Sequence, residues 1–272
     1  MSERILITGA EGFVGRELTR TLLSRLEPGD RIFCGQHTLK IAASDGVEVL
    51  PLDVTDSRAT REAVRRLRPT CVVHLAAIAA VQDASRDRER TWAVNFGGTK
   101  TLAEAILSEA PRARLIFVGT SESYGGTFRE RAGALDEAAA LDPTNPYAVS
   151  KAAADLLVGQ LARDGLRAVR FRPFNHTGPG QTDRFVVPAF ASQIAKIEAG
   201  CQEPVMRVGN LEAQRDFLDV RDVVEAYVSA IFRADLPNGV ILNLASGEPR
   251  RIGDILRDLC ARSTHRIEIE LD

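Results

Sequence analysis

The chain has 272 residues, 44% of them hydrophobic, and a formal net charge of -2. That length can bury a sizeable core as one large domain or a domain with a cap. The near balance of charge gives no basic excess to drive nucleic-acid binding, so no nucleic-acid partner is expected. No apolar run approaches the roughly 20 residues of a membrane span, and Met1-Ser2-Glu3-Arg4 leads directly into an apolar run rather than a leader peptide. The four cysteines, Cys34, Cys71, Cys201 and Cys260, form no CxxC pair. They read as free thiols, which predicts a reducing, cytoplasmic setting, and no metal site is expected.

In chain order, strands are expected at Arg4–Thr8, Arg31–Cys34, Val47–Leu50, Cys71–Leu75, Arg114–Gly119 and Leu166–Phe171. Helical periodicity fills the intervals at Val14–Leu26, Ser57–Leu67, Arg88–Glu109 and Tyr147–Arg163. The basic runs within 61–68 and 86–90 alternate with acids or apolar residues and read as solvated helix faces. Continuous apolar strands alternating with helices predict a parallel sheet buried on both faces, hence a doubly wound α/β (Rossmann) fold. After about Arg172 the pattern changes to a Gly- and Pro-rich stretch, then helices at Phe185–Ala199 and Asp219–Arg233, a strand at Gly239–Leu244, and a helix at Ile252–Ala261. The expected division is a dinucleotide-binding domain over 1–172, with 216–245 returning to its sheet, and a smaller C-terminal cap over 173–215 and 246–272.

The first strand runs into Gly9-Ala10-Glu11-Gly12-Phe13-Val14-Gly15 and then a helix. Gly9 permits a tight turn, Gly12 lets the backbone approach a pyrophosphate, and Gly15 lets helix and strand pack closely. The helix start adds N–H groups and a positive dipole end, so the loop is a candidate dinucleotide site. The end of the second strand, Phe33-Cys34-Gly35-Gln36-His37, holds neither an acid for a ribose hydroxyl nor an immediate arginine for a 2′-phosphate, although Lys40 or Arg16 could reach one. The cofactor is therefore NADP(H) or NAD(H), and the missing carboxylate favours NADP(H).

Asn145-Pro146-Tyr147-Ala148-Val149-Ser150-Lys151 opens a helix, with Pro146 suited to its first position and Thr144 or Asn145 to its cap. Tyr147 and Lys151, spaced i and i+4, share one face, where an ammonium can stabilise a tyrosinate and lower the phenol pKa. Gly119-Thr120-Ser121-Glu122-Ser123-Tyr124-Gly125 follows the fifth strand. It offers Thr120, or alternatively Ser121, as a hydroxyl partner for the same site.

The TGxxGxxG loop and the YxxxK pair together resemble the extended branch of the short-chain dehydrogenase/reductase superfamily, the NAD-dependent epimerase/dehydratase family. The resemblance covers nearly the whole chain. It implies catalytic roles for Thr120, Tyr147 and Lys151. It also implies cofactor contacts from Gly9, Gly12, Phe13, Val14, Gly15, Asp53, Val54, Leu75, Ala76, Ala77, Asn95 and Pro173, together with Tyr147 and Lys151. Asp53 has the alternative of a turn or helix-cap residue, and His74 reads as a packed strand residue rather than a catalyst. Asn95 matches an asparagine that props the active site, or stabilises a local kink.

Substrate class rests on Arg172-Pro173-Phe174-Asn175-His176-Thr177-Gly178-Pro179-Gly180, with Val187 and the run Gln214-Arg215-Asp216. These segments resemble members that act on GDP-linked sugars, among them 4,6-dehydratases and 4-ketoreductases. They imply substrate contacts from Ser121, Glu122, Asn175, Val187 and Arg215. The bland alternatives are a loop amide for Asn175, an ion pair with Asp216 or Asp219 for Arg215, and a solvated carboxylate for Glu122. Glu122 also stands where the dehydratases carry an acid. The resemblance implies a 4-ketoreductase of a GDP-4-keto-6-deoxy sugar, with a dehydratase or epimerase as the rival. A non-catalytic nucleotide sensor is disfavoured by the presence of both Tyr147 and Lys151. Family members commonly pair into homodimers through the helices at 88–109 and 147–163. They also commonly continue past a strand like 266–271.

Overall fold

A computed structural model of the chain describes residues 2–38, 42–130 and 133–271. The apolar runs form β1 (Arg4–Thr8), β2 (Arg31–Gln36), β3 (Val47–Pro51), β4 (Cys71–His74), β5 (Arg114–Val118) and β6 (Arg167–Pro173). Between them lie α1 (Phe13–Leu23), α2 (Ser57–Leu67), α3 (Val81–Arg86), α4 (Arg88–Trp92), α5 (Thr99–Glu109), the short α6 (Thr127–Glu130) and α7 (Pro146–Arg163). The later part of the chain holds β7 (Asn175–Thr177), α8 (Val186–Glu198), β8 (Val205–Val208), β9 (Gln214–Asp219) and α9 (Val220–Phe232). It ends with β10 (Val240–Leu244), β11 (Pro249–Arg251), α10 (Ile252–Cys260) and β12 (Glu268–Leu271).

The chain divides into two units, one of residues 1–174 and 220–244, the other of 175–219 and 245–272. In the first, the strands form a seven-stranded parallel sheet ordered β10-β6-β5-β4-β1-β2-β3. The order reverses beside β1, so the β1 and β4 loops flank the crevice where a doubly wound sheet receives its ligand. Alternation along the strands fills both faces. Leu6, Val72, Leu115 and Phe117 pack with Val64 of α2, Leu102 and Ile106 of α5 and Val158 of α7 in one buried cluster. Ile5 and Ile7 point to the opposite face, which α1 and α9 cover.

The second unit has a core of its own, in which Phe190 and Ile194 of α8 meet Met206 and Val208 of β8 and Ile252 and Leu256 of α10. Its strands form two small sheets, β11-β9-β7 and β12-β8.

One expected helix is interrupted. The stretch 88–109 forms α4, then a wide turn over Ala93–Gly98 with π-type winding, then α5. Such turns accommodate one extra residue per turn and are enriched at functional sites.

Candidate active site

The site begins with the turn after β1. Gly9 has φ +69°, and a Cβ there would lie 2.8 Å from the backbone of Ala76. A Cβ on Gly15 would lie 2.6 Å from the carbonyl oxygens of Gly9 and Ala10. Glycine is needed at both, once for conformation and twice for close approach. Gly12 caps α1 with no side-chain hydrogen bond, and the first turn of the helix carries no acid. Phe13 and Val14 form that first turn. Opposite them, Leu75 donates its N–H to the Thr8 carbonyl at 3.1 Å, and Ala76 donates to Thr8 Oγ1 at 3.3 Å. The segment Leu75-Ala76-Ala77 is thereby fixed along the loop.

Thr8 also begins a directed polar chain. Thr99 Oγ1 donates to the Asn95 carbonyl at 2.6 Å, so it accepts from His74 Nε2 at 3.0 Å. That leaves His74 Nδ1 to accept from the Thr8 hydroxyl at 2.7 Å. The imidazole is therefore neutral. Burial, with the nearby Lys151 charge, pushes its pKa down to about 3. His74 is a packed strand residue that ties β1 to the wide turn.

Asn95 is fully buried in that turn. Its Oδ1 accepts from the Ile78 N–H at 2.8 Å, and its Nδ2 donates to the Ile78 carbonyl at 3.2 Å and to Ser150 Oγ at 3.0 Å. Ser150 Oγ then donates to the Tyr147 carbonyl at 2.8 Å. The kink and the prop are thus one feature.

Helix α7 starts where the sequence signals it. Asn145 Oδ1 accepts the Ala148 N–H at 2.8 Å, and Pro146 takes the first helical position. Tyr147 is half-buried, and Lys151 is 3% exposed with its Nζ 4.6 Å from the centroid of the Phe117 ring. Thr120, 6% exposed, follows β5; its Oγ1 accepts the Glu122 N–H at 3.2 Å, and its side chain works to lower the Tyr147 phenol pKa. Ser121 is buried behind it in a short 3₁₀ turn.

The electrostatics correct one expectation. Burial pushes the Tyr147 phenol up to about 12, against a lowering by Thr120 and with a further push from the Glu122 charge. The neighbouring Lys151 does not outweigh that burial. Burial lowers Lys151 itself to about 8, and Asp155 one turn further along α7 works against that loss. Tyr147 is therefore a protonated acid at neutral pH, beside a lysine that is still largely charged.

Asp155 was not singled out by motif reading, although it continues the i, i+4 spacing of Tyr147 and Lys151. It is 1% exposed and lies between two arginines: Arg172 Nε donates to Oδ2 at 2.7 Å, and Arg170 Nη1 to Oδ1 at 3.1 Å. Arg172 also donates to Tyr124 Oη at 3.0 Å, and Tyr124 donates to Asn243 of β10 at 2.8 Å. This buried network anchors α7 to β6 and β10. Pro173 ends β6 in register with Leu244.

Glu122 Oε2 accepts from Asn145 Nδ2 at 3.3 Å, so its carboxylate is held at the start of α7. Asp53 does form a turn: its Oδ1 accepts from the Thr55 N–H at 2.9 Å and hydroxyl at 2.7 Å, which lowers its pKa. Asp56 is the residue that caps α2. Val54 is buried against Gly98, where a Cβ would fall 2.5 Å from Val54 Cγ2.

The remaining candidates lie in the second unit. Asn175 pairs with Phe217 across β7 and β9, and Arg215 stands two residues earlier on β9. Arg215 is exposed and forms no ion pair among the described residues, since Asp216 accepts instead from Ser246 and Gly247. Val187 is in the first turn of α8 and packs against that unit's core.

Residues 5–245 match the NAD dependent epimerase/dehydratase family. The chain belongs to that family. It is 32% identical over 273 residues to the GDP-6-deoxy-D-mannose reductase of Pseudomonas aeruginosa, covering 100% of this chain and 84% of the relative. Among solved structures, RMD from P. aeruginosa complexed with NADPH aligns with a TM-score of 0.83 and 31% identity, over 100% of this chain and 86% of that one. The UDP-glucose 4-epimerase of Thermus thermophilus in complex with NAD aligns with a TM-score of 0.85 and 27% identity, over 98% of this chain and 85% of that one. The chain is thus an NAD(P)-dependent enzyme, and its loop fits the cofactor. A glycine cradle without side chains meets an α1 start that no side chain caps. Among the described residues no helix is long and apolar enough to cross a membrane, and no cluster of metal ligands is present.

Proposed function

We propose that the chain is an NAD(P)H-dependent 4-ketoreductase of a nucleotide-linked 4-keto-6-deoxy sugar, with GDP-4-keto-6-deoxy-D-mannose as substrate and a GDP-6-deoxyhexose as product. The arrangement that supports this reading is Tyr147 one helical turn from Lys151 on α7, with Thr120 acting on its phenol and burial keeping that phenol protonated. Ketone reduction needs a proton donor at the oxygen where negative charge develops.

Gly9, Gly12, Phe13, Val14 and Gly15 would hold the pyrophosphate of the cofactor. Asp53 and Val54 would hold its adenine end, and Leu75, Ala76, Ala77, Asn95 and Pro173 would line its course to the nicotinamide. The bound nicotinamide supplies the hydride. Tyr147 Oη gives its proton to the C4 oxygen of the sugar. Thr120 Oγ1, whose lone pair already receives the Glu122 N–H, keeps its own O–H to polarise that oxygen. Lys151 holds the nicotinamide ribose and stabilises the phenolate that Tyr147 leaves behind. Ser121, Glu122, Asn175 and Val187 contact the sugar nucleotide, and the exposed Arg215 offers its guanidinium fork to the diphosphate. The similarity to a GDP-6-deoxy-D-mannose reductase supports the sugar and the direction of reaction.

Glu122 supports a second reading. Held by Asn145 beside Tyr147, it is an acid placed to protonate a leaving hydroxyl, as a 4,6-dehydratase requires. Incubation with GDP-mannose separates the two, because a dehydratase consumes its substrate with no net loss of NADH or NADPH.

Pairing into a homodimer through α4, α5 and α7 is part of the same proposal. It is supported by Leu156 of α7, 61% exposed, and Trp92 of α4, 40% exposed. Light scattering that returned a monomer mass would remove it. The buried free thiols Cys34 and Cys71 support a reducing, cytoplasmic setting.

A further inference from the structure

Glu11 lies between Ala10 and Gly12 in the glycine loop, and its side chain leaves the loop for the end of β2. Its Oε1 accepts the backbone N–H of His37 at 2.9 Å and of Thr38 at 3.4 Å. These two residues directly follow Gln36, the last residue of the strand. Glu11 Oε2 is buried without a hydrogen-bond partner, and among the described residues no cation pairs with the carboxylate. Among the described residues the carboxylate is met by backbone amides alone. The nearby basic side chains also reach other groups: His37 Nδ1 lies 3.7 Å from Asp53 Oδ2, and Arg16 Nη1 donates to the Glu11 backbone oxygen at 3.2 Å. Lys40 lies outside the described residues.

The end of β2 is where a dinucleotide-binding sheet meets the adenosine ribose. A carboxylate there accepts from the 2′-hydroxyl, while a 2′-phosphate calls for an arginine. β2 has no acid of its own, which is why its sequence favours NADP(H). We propose that Glu11, delivered from the glycine loop, supplies this carboxylate and makes the site selective for NAD(H) over NADP(H). A 2′-hydroxyl can donate to the carboxylate, whereas a 2′-phosphate brings like charge to the same corner. The inference rests on the glycine loop as the dinucleotide site and is independent of which sugar is reduced.

The test is a pair of fluorescence titrations of the full chain with NADH and NADPH, repeated on Glu11→Gln. The unaltered chain is expected to bind NADH roughly tenfold or more tightly than NADPH. Glu11→Gln is expected to close most of that gap, chiefly by tighter NADPH binding. Competition by 5′-AMP and by 2′,5′-ADP on the unaltered chain reads the 2′ position without any variant, and 5′-AMP is expected to be the stronger competitor. Equal or tighter binding of NADPH, a stronger 2′,5′-ADP, or an unchanged ratio in Glu11→Gln would overturn the assignment. Failure to bind either nucleotide would overturn the dinucleotide site itself, and the assignment with it.

Discussion

Asn95 and Ser150 share a hydrogen bond of 3.0 Å that joins the wide turn after α4 to the N-terminal part of α7. Through Ser150 the same bond reaches the Tyr147 carbonyl, so the turn and the Tyr147–Lys151 face form one rigid piece. Asn95→Ala leaves Ile78 and Ser150 short of partners in a buried place, and a loss of about 2–4 kcal/mol is expected. Urea unfolding checks this, and a change of less than about 0.5 kcal/mol would deny the turn its anchoring role.

Tyr147→Phe removes the proton donor and little else. The expected outcome is a drop in kcat of about 10²–10⁴, far larger than any loss of nicotinamide nucleotide affinity in fluorescence titration. A loss of affinity as large as the loss of kcat would leave Tyr147 a cofactor contact without the proton-donor role.

Lys151 titrates near 8, so its charge is lost as pH rises through that value. The rate is expected to decline on the alkaline side of about pH 8. Asp155 favours the charged lysine. Asp155→Asn should therefore move the decline to lower pH, and it should also lower stability because Arg170 and Arg172 lose their buried partner. A variant that is destabilised but keeps the same alkaline limb would reduce Asp155 to an anchor of α7.

His74 has an acid-side signature. Its folded pKa of about 3 lies below the ordinary 6.5, so the unfolded chain takes up a proton that the folded chain refuses. Its contribution is present above about pH 6.5 and fades as pH falls toward 3. His74→Gln should lose less stability than the unaltered chain between about pH 7 and about pH 4. Equal losses would place the acid sensitivity elsewhere.

The fold was legible where local pattern coincides with tertiary role. The apolar runs RILIT and CVVHL became adjacent parallel strands because a strand buried on both faces needs no alternation. The cap Asn145 and Pro146 start α7 as their chemistry dictates. The interruption at 93–98 was not legible as winding, because the amide that stabilises it bonds Ile78 from another segment. The strands 175–177, 205–208, 214–219 and 249–251 were missed because each is defined by a partner distant in the chain. The i, i+4 spacing of Tyr147 and Lys151 was readable, but the phenol pKa was not: burial, which spacing does not report, raises it, and the Glu122 charge adds to the rise. Glu11 escaped notice for the same reason, since only folding brings it to the end of β2.

The most direct test of the central claim follows nicotinamide absorbance while the purified chain acts on GDP-4-keto-6-deoxy-D-mannose, with NADH and NADPH offered separately and the sugar product identified. The account predicts one reduced nicotinamide oxidised per GDP-6-deoxyhexose formed. Absence of turnover with either nucleotide, or dehydration of GDP-mannose with no net nicotinamide consumed, would contradict it.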